Sequence, residues 1–282
     1  MSTHNTPGKY GFLIDVTHCI DCRACNVACS VQNNVSMDST RIWMNGTGVV
    51  GDFPNLQSYT APFHCMHCTD PSCVSACTVG ALTRDHEGIV RYDDDRCIGC
   101  RYCIYACPFQ VPNMDLNEQF PLIVKCDMCG DRLEEGEQPA CAATCPPGAI
   151  QFGRREDMLA KAKQIITDHP DKFIQHVYGE HENGGTSTFY ISPVPFEELG
   201  FPIPGSTSSA YYNRLVTHGT PAVFGAAAIS LSGIYLTIKN VKEETAEEEA
   251  RAAARAAVVQ AAEGSAAEAA AAEAVETAGE EA

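Results

Sequence analysis

The chain lacks every common fingerprint of substrate chemistry. It carries no P-loop, no dinucleotide-binding glycine turn, and no nucleophile paired with a base. Those absences argue against catalysis by this chain alone. Positive charge is scarce, with 19 Lys and Arg against 36 Asp and Glu, which argues against nucleic acid or anionic lipid headgroups as partners. The N-terminus, MSTHNTPGKYGFLID, has neither a charged n-region nor an apolar h-region, so no signal peptide is expected there. Twin arginines are absent from it too, and the Arg154-Arg155 pair lies far inside the chain. Nor is any cysteine left unpaired with a group.

Sixteen cysteines fall into four groups of four. They are Cys19, Cys22, Cys25 and Cys29; Cys65, Cys68, Cys73 and Cys77; Cys97, Cys100, Cys103 and Cys107; and Cys126, Cys129, Cys141 and Cys145. The third group, CIGCRYCIYACP, is the C-x2-C-x2-C-x3-C-P run that ligates [4Fe–4S] clusters, and the first keeps that spacing without the proline. In such a run three thiolates cap one cluster and the fourth serves a neighbour. Four groups therefore read as four [4Fe–4S] clusters. A disulfide framework suits small secreted domains rather than a chain of 282 residues, and three cysteines within seven residues cannot pair independently. Zinc is the stronger rival, because the fourth group alone resembles two hooks closing on one ion.

The linkers suggest how the groups pair. Between the second and third, two β-rich segments flank the turn signal Asp85-His-Glu-Gly88, which predicts a hairpin. That short connection belongs inside one two-cluster unit, leaving groups one and four to pair around it. Sequential pairing, one with two and three with four, is the alternative. Crossed ligation in the nested arrangement gives Cys19, Cys22 and Cys25 with Cys145, and Cys126, Cys129 and Cys141 with Cys29. It also gives Cys65, Cys68 and Cys73 with Cys107, and Cys97, Cys100 and Cys103 with Cys77. The fold expected is α+β: residues 10–60 and 113–155 form one ferredoxin-like unit, and residues 61–112 the other.

Around the cysteines, Lys9 to Val16 predicts a strand, and 30–62 an insertion with weak strand character near Arg41–Asn45. Residues 154–166 space Met158, Leu159, Ala162, Ile165 and Ile166 as one helical face. Beyond them, 168–205 is irregular with one strand at 187–192. The stretch 156–213 is expected to dock on a partner subunit. From Pro221 to Ile238 eighteen residues carry no charge, at the short end of a membrane-spanning length, so 214–240 is expected to be a transmembrane anchor. Small residues such as Gly225, Ala226 and Gly233 suit close packing within a bilayer. A buried core helix is the alternative. Lys239 and Lys242 beyond the span favour a cytoplasmic C-terminus and a cluster body across the membrane. The tail, 241–282, holds eleven Glu against Arg251, Arg255 and Lys242. It has no apolar stripe, and is expected to be a frayed helix or disordered.

Near the clusters, His64 and His67 bracket Cys65 but are expected to support or surround the ligands, since each group already has four cysteines. Lys125 before Cys126 is either a cation that raises a cluster potential or an ordinary solvated lysine. Tyr102, Tyr105 and Phe109 are expected to shield the third group from water.

The runs HCMHCTDPSCVSACTVGAL (64–82), CIGCRYCIYACPFQVP (97–112) and KCDMCGDR with CAATCPPGAIQFG (125–153) resemble the four-cluster beta subunits of membrane-bound oxidoreductases, in particular respiratory formate dehydrogenases and nickel–iron hydrogenases. The likeness extends over about residues 10–240, including GGTSTFYI (184–191) and FEELGFP (196–202). It implies a non-catalytic electron-transfer subunit with nested cluster pairing. Its donor would be a catalytic subunit with a molybdenum- or tungsten–pterin or nickel–iron centre, and its acceptor an integral membrane subunit that reduces quinone. It further implies a periplasmic cluster body exported with a leader-bearing partner, the missing leader favouring the formate dehydrogenase type; a cytoplasmic-facing complex is the alternative. The same subunit could instead serve a molybdopterin reductase for polysulfide, a sulfoxide or nitrate.

Overall fold

A computed structural model describes residues 7–115 and 122–280, with side chains as far as residue 261. The chain divides into two compact units, one ending at Thr217 and the other beginning at His218. Strand β1 (Tyr10–Asp15) is the centre of the first. It pairs antiparallel with β8 (Ile150–Arg154), Phe12 opposite Phe152, and parallel with β9 (Thr188–Ile191), Phe12 opposite Thr188. Phe12, Leu13 and Ile14 are fully buried, because a central strand covered on both faces needs an unbroken apolar run rather than alternation. Leu13 points to one side, where α6 (Arg155–Asp168) packs Ala162 and Ile166 against Phe173, Phe189 and Ile191. Phe12 and Ile14 point to the other, among Cys25, Cys29, Cys68 and Cys141. One strand thus has an ordinary hydrophobic face and a thiol-rich one.

The remaining strands form three hairpin-like pairs. Trp43–Gly46 (β2) pairs with Thr60–Phe63 (β3), Leu82–Arg84 (β4) with Val90–Tyr92 (β5), and Asn113–Met114 (β6) with Ile123–Val124 (β7). The β4–β5 turn follows from its residues. Asp85 Oδ1 accepts from the amides of Glu87 and Ile89, at 3.0 and 2.8 Å, and Gly88 adopts φ +88°. A Cβ on Gly88 would meet the Gly8 Cα at 2.3 Å, so this position excludes any side chain. Thus β1 before the first cysteine group pairs with β8 after the fourth, while β4 after the second pairs with β5 before the third.

Short helices carry or adjoin the thiols: α1 (Ala24–Gln32) holds Cys25 and Cys29, α2 (Ser72–Ala76) Cys73, α3 (Tyr102–Ala106) Cys103 and α5 (Ala140–Ala143) Cys141, while α4 (Gly130–Glu134) starts just after Cys129. The last and longest, α7 (Ser209–Glu280), contains Pro221.

The expected β1 strand, β4–β5 hairpin, α6 helix and β9 strand all form. Residues 168–205 differ from expectation in what they bury. Their aromatic rings are spent within the chain: Tyr178 lies 4.9 Å from Phe196, and Tyr190 lies 4.9 Å from Phe201. Tyr190 Oη donates to the Pro62 carbonyl at 3.1 Å, and Tyr178 Oη to that of Pro202. Each such ring contributes about 1.5–3 kcal/mol by burial. The irregular backbone hid this, because no period marks side chains that converge from a loop.

In the second unit, α7 continues as helix through the Ala/Glu-rich stretch that was expected to fray. It is long and apolar enough to cross a membrane, with a mean hydropathy of 1.6 over its most apolar window. None of that window is buried within the chain, so it is not a core helix of this subunit. Its hydroxyls are satisfied internally: Ser230 Oγ donates to the Ala226 carbonyl and Thr237 Oγ1 to that of Gly233, each at 2.9 Å.

Candidate metal centre

All sixteen cysteines are free thiols, and none forms a disulfide. Groups one and three share a backbone as well as a spacing. Asp21 and Gly99 both have positive φ (52° and 66°), as do Arg23 and Arg101 (57° and 64°), and those arginines open α1 and α3. Left-handed residues on either side of the second cysteine fold the loop tightly, and the Gly99 N–H lies 3.4 Å from Cys97 Sγ. The fourth group repeats the device at Met128 and Cys129, with the Met128 N–H 3.3 Å from Cys126 Sγ.

Two cavities each bring together thiols from two groups. Cys19, Cys22, Cys25 and Cys145 line one cavity of about 300 Å³ together with Ile20 and Pro146. Cys77, Cys97, Cys100 and Cys103 line another of about 320 Å³. Burial pushes the Cys25 thiol up to about 12, and the charges of Cys19, Cys145 and Cys22 add to the rise. For Cys103, raised to about 11, burial is followed by Cys100, Cys97 and Cys77. The remaining thiols also feel neighbours from other groups. Burial raises Cys68 well above the ordinary thiol range, followed by Cys107, Cys65 and Cys73. Cys141 is raised by burial and then by Cys129, Cys29 and Cys25. Cys126 is raised by burial, Asp127, Cys65, Cys29 and Cys141.

Eight of the sixteen are buried, six partly so, and only Cys22 and Cys100 are exposed. Four thiolates this close and this dry repel one another and cannot ionise unaided. A cationic iron core would remove that penalty, since bound metal deprotonates a coordinating thiol outright. The donor set therefore fits iron–sulfur clusters. The one other cluster of metal-ligand side chains among the described residues, Asp93, Asp94 and Asp95, is an exposed acidic run.

Several groups around the thiols leave no mark in the sequence. Asn33 Nδ2 lies 3.6 Å from Cys29 Sγ, and Asn183 Nδ2 lies 3.7 Å from Cys68 Sγ. Arg41 is bound to Asp127 at 2.8 Å, and its charge opposes the effect of burial on Cys29. Burial works against Asp127 ionising, yet the Arg41 charge and hydrogen bond hold its carboxyl below the usual range. Asn183 and Arg41 are remote in sequence from the thiols they serve, so spacing could not reveal them.

His64 and His67 are both buried. The Nδ1–H of His64 donates to the Cys65 carbonyl at 3.0 Å, while His67 Nδ1 accepts from the Val90 amide at 3.2 Å. Burial pushes His64 down to about 4 and His67 well below its ordinary value, so both are neutral at pH 7. Lys125 is only 2% exposed, which rules out a solvated lysine. Of the three aromatics expected to shield the third group, only Phe109 is buried. Tyr105 is 84% exposed and Tyr102 40%, because α3 turns its outer face to solvent.

The fold and thiol clusters define an iron–sulfur protein of the multi-cluster ferredoxin type. Residues 56–155 match the 4Fe-4S dicluster domain family. Over 257 residues, covering 75% of this chain and 78% of the relative, the chain is 35% identical to the hydrogenase-2 operon protein HybA of Escherichia coli O157:H7. It is 32% identical over 260 residues to a formate dehydrogenase iron-sulfur subunit of Haemophilus influenzae, covering 84% of this chain and 83% of that one. A protein of Nitratidesulfovibrio vulgaris is 40% identical over 271 residues, with 89% of this chain and 73% of the relative covered. The chain belongs to the family of [4Fe–4S] ferredoxin-like subunits of formate dehydrogenase and hydrogenase complexes. Its cofactors are [4Fe–4S] clusters, and sixteen thiols are the number that four of them require.

Proposed function

We propose that this chain is a non-catalytic electron conductor holding four [4Fe–4S] clusters in one line. Their ligands are the sets anticipated from spacing: Cys19, Cys22, Cys25 and Cys145; Cys126, Cys129, Cys141 and Cys29; Cys65, Cys68, Cys73 and Cys107; and Cys97, Cys100, Cys103 and Cys77. When bound, the clusters supply reversible one-electron storage. The observation that carries the reading is which thiols influence those of another set. Cys25 acts on Cys141, Cys65 on Cys126, and Cys103 on Cys73. Those three links join the sets in the order just given. They support nested pairing, as do the β1–β8 and β4–β5 pairs.

Both exposed cysteines fall in the terminal sets, Cys22 at one end and Cys100 at the other. Beside Cys100, Tyr102 Oη donates to Asn213 Oδ1 at 2.9 Å, and Arg214 grips Asp70 with two contacts of 2.7 Å. Arg214 is seven residues before Pro221, a reach of at most about 25 Å even when extended. On this reading the Cys100 end faces an integral quinone-reducing subunit. The Cys22 end faces a catalytic subunit with a molybdenum- or tungsten–pterin or nickel–iron centre. Lys239 and Lys242 support a C-terminus in the cytoplasm and a cluster body in the periplasm.

Iron and sulfide analysis with low-temperature EPR of the reduced protein tests the proposal. About sixteen irons per chain and mutually interacting cubane signals are expected. Stoichiometric zinc in place of iron would sink it. Mass spectrometry of the native membrane complex identifies the partner, and co-isolation with a reductase lacking formate or hydrogen oxidation would defeat the assignment of the donor. Protection of the cluster body from protease in intact spheroplasts would reverse the orientation.

A further inference from the structure

Lys125 lies where the two inner thiol sets meet. It immediately precedes Cys126, and its Nζ donates to the carbonyls of Cys126 and Val90 at 2.7 and 2.5 Å. Its charge is felt at the Cys73 thiol, which belongs to the other inner set, and at Asp127. The Cys126 thiol feels Cys65 across the same junction. Among the described residues, Lys125 makes no ion pair with a carboxylate, although it is almost completely buried. Its two hydrogen-bond partners are neutral carbonyls, and a buried ammonium calls for negative charge nearby. Clusters bearing four thiolates apiece are net anionic, and they are the charges on either side of it.

We infer that Lys125 is a shared counter-cation for the two inner clusters, a positioning charge that raises the reduction potential of both. The inference rests on the ligand sets proposed above. Adding an electron to a cluster adds negative charge, and a fixed cation in a medium of low dielectric favours the more negative form. The outer clusters lie beyond the junction and receive less of this field. Lys125 therefore acts on the passage between the two halves of the conductor, where electrons leave one two-cluster unit for the other. Its two carbonyl bonds hold the ammonium in place, which a mobile surface lysine could not do.

The test is an EPR-monitored redox titration of the full chain in its native complex, comparing native protein with K125M, K125Q and K125R. In K125M and K125Q two of the four midpoint potentials should fall, so that at the native midpoint the reduced-to-oxidised ratio drops about tenfold, equivalent to 59 mV for a one-electron couple. The other two should hold, and K125R should restore most of the shift because it keeps the charge. Full iron with unchanged potentials in K125M and K125Q overturns the inference. So does an equal shift of all four, or a shift in K125R as large as in K125M. If the neutral variants lose an inner cluster and K125R keeps it, charge is required and the inference stands; loss in K125R as well makes Lys125 merely structural. Failure of the underlying ligand sets would appear separately, as iron missing from the native protein.

Discussion

Cysteine groups one and three have the most regular spacing, yet each leaves its second thiol, Cys22 or Cys100, in contact with solvent. Groups two and four are less regular and expose none, with Cys68, Cys73, Cys126, Cys129 and Cys141 all buried. In groups one and three the loop itself turns around the thiols, with left-handed residues on either side of the second cysteine. Groups two and four are also covered by distant chain: Asn183 reaches Cys68, and Arg41 reaches Asp127 beside Cys126. A self-sufficient loop can stand at a surface where electrons enter or leave. A loop enclosed by the rest of the chain is insulated from water and belongs in the middle.

The largest contrast is expected from removing one thiol of each kind. Cys141→Ser should cost about four irons and also collapse the packing around β1, because an inner cluster is part of the core. Cys22→Ser should disturb only its own cluster, leaving the cooperative melt of the body near its native temperature. Equal losses of melting temperature in the two variants would erase the distinction between surface and interior sets.

Next comes acid. His64 is held neutral by burial, at about 4, against 6.5 when exposed. Between those values the unfolded chain binds the extra proton and the folded one does not, so this contribution is complete above pH 6.5 and is lost as pH falls toward 4. The loss amounts to about 3 kcal/mol at about 1.4 kcal/mol per unit. In His64→Gln the fall in stability over that window should be shallower by a similar amount, measured by denaturation at each pH relative to native protein. Parallel profiles would show that His64 contributes nothing to acid sensitivity.

A smaller effect is expected at Asn183, whose Oδ1 accepts from the Ser209 amide at 2.7 Å and its hydroxyl at 2.9 Å while Nδ2 faces Cys68. Asn183→Ala should destabilise the first unit by about 1–3 kcal/mol, the cost of stranding buried partners. It should also alter the EPR signal of an inner cluster while leaving the outer ones unchanged. The least is expected from Arg214→Ala. Its pair with Asp70 is bidentate but partly exposed, so about 1 kcal/mol or less is at stake. Faster proteolysis within 209–217, with clusters intact, would register it.

Much of the fold was legible because local chemistry left local marks. The apolar run at Lys9–Val16, the turn at Asp85–Gly88 and the helical face from Met158 to Ile166 each carried a period or a turn residue. The interior role of 168–205 left no such mark, although Phe173, Tyr178, Tyr190, Phe196 and Phe201 are all buried. Loops have no period, and convergence of rings from a loop is a property of three dimensions. The exposure of Tyr105 and the burial of Lys125 were equally unreadable, as each depends on which face of a short segment the remaining chain covers.

By itself the sequence determined the cofactor chemistry, since thiolate number and spacing decide which metal cluster can be held. It determined the membrane-length helix too, because length and absence of charge are linear properties. Tertiary structure alone decided which thiols are neighbours across groups, which lie at the surface, and where a buried cation stands among them. Those depend on contacts between residues far apart in the chain, such as β1 with β8 and β9, and burial and field strength follow from such contacts rather than from spacing.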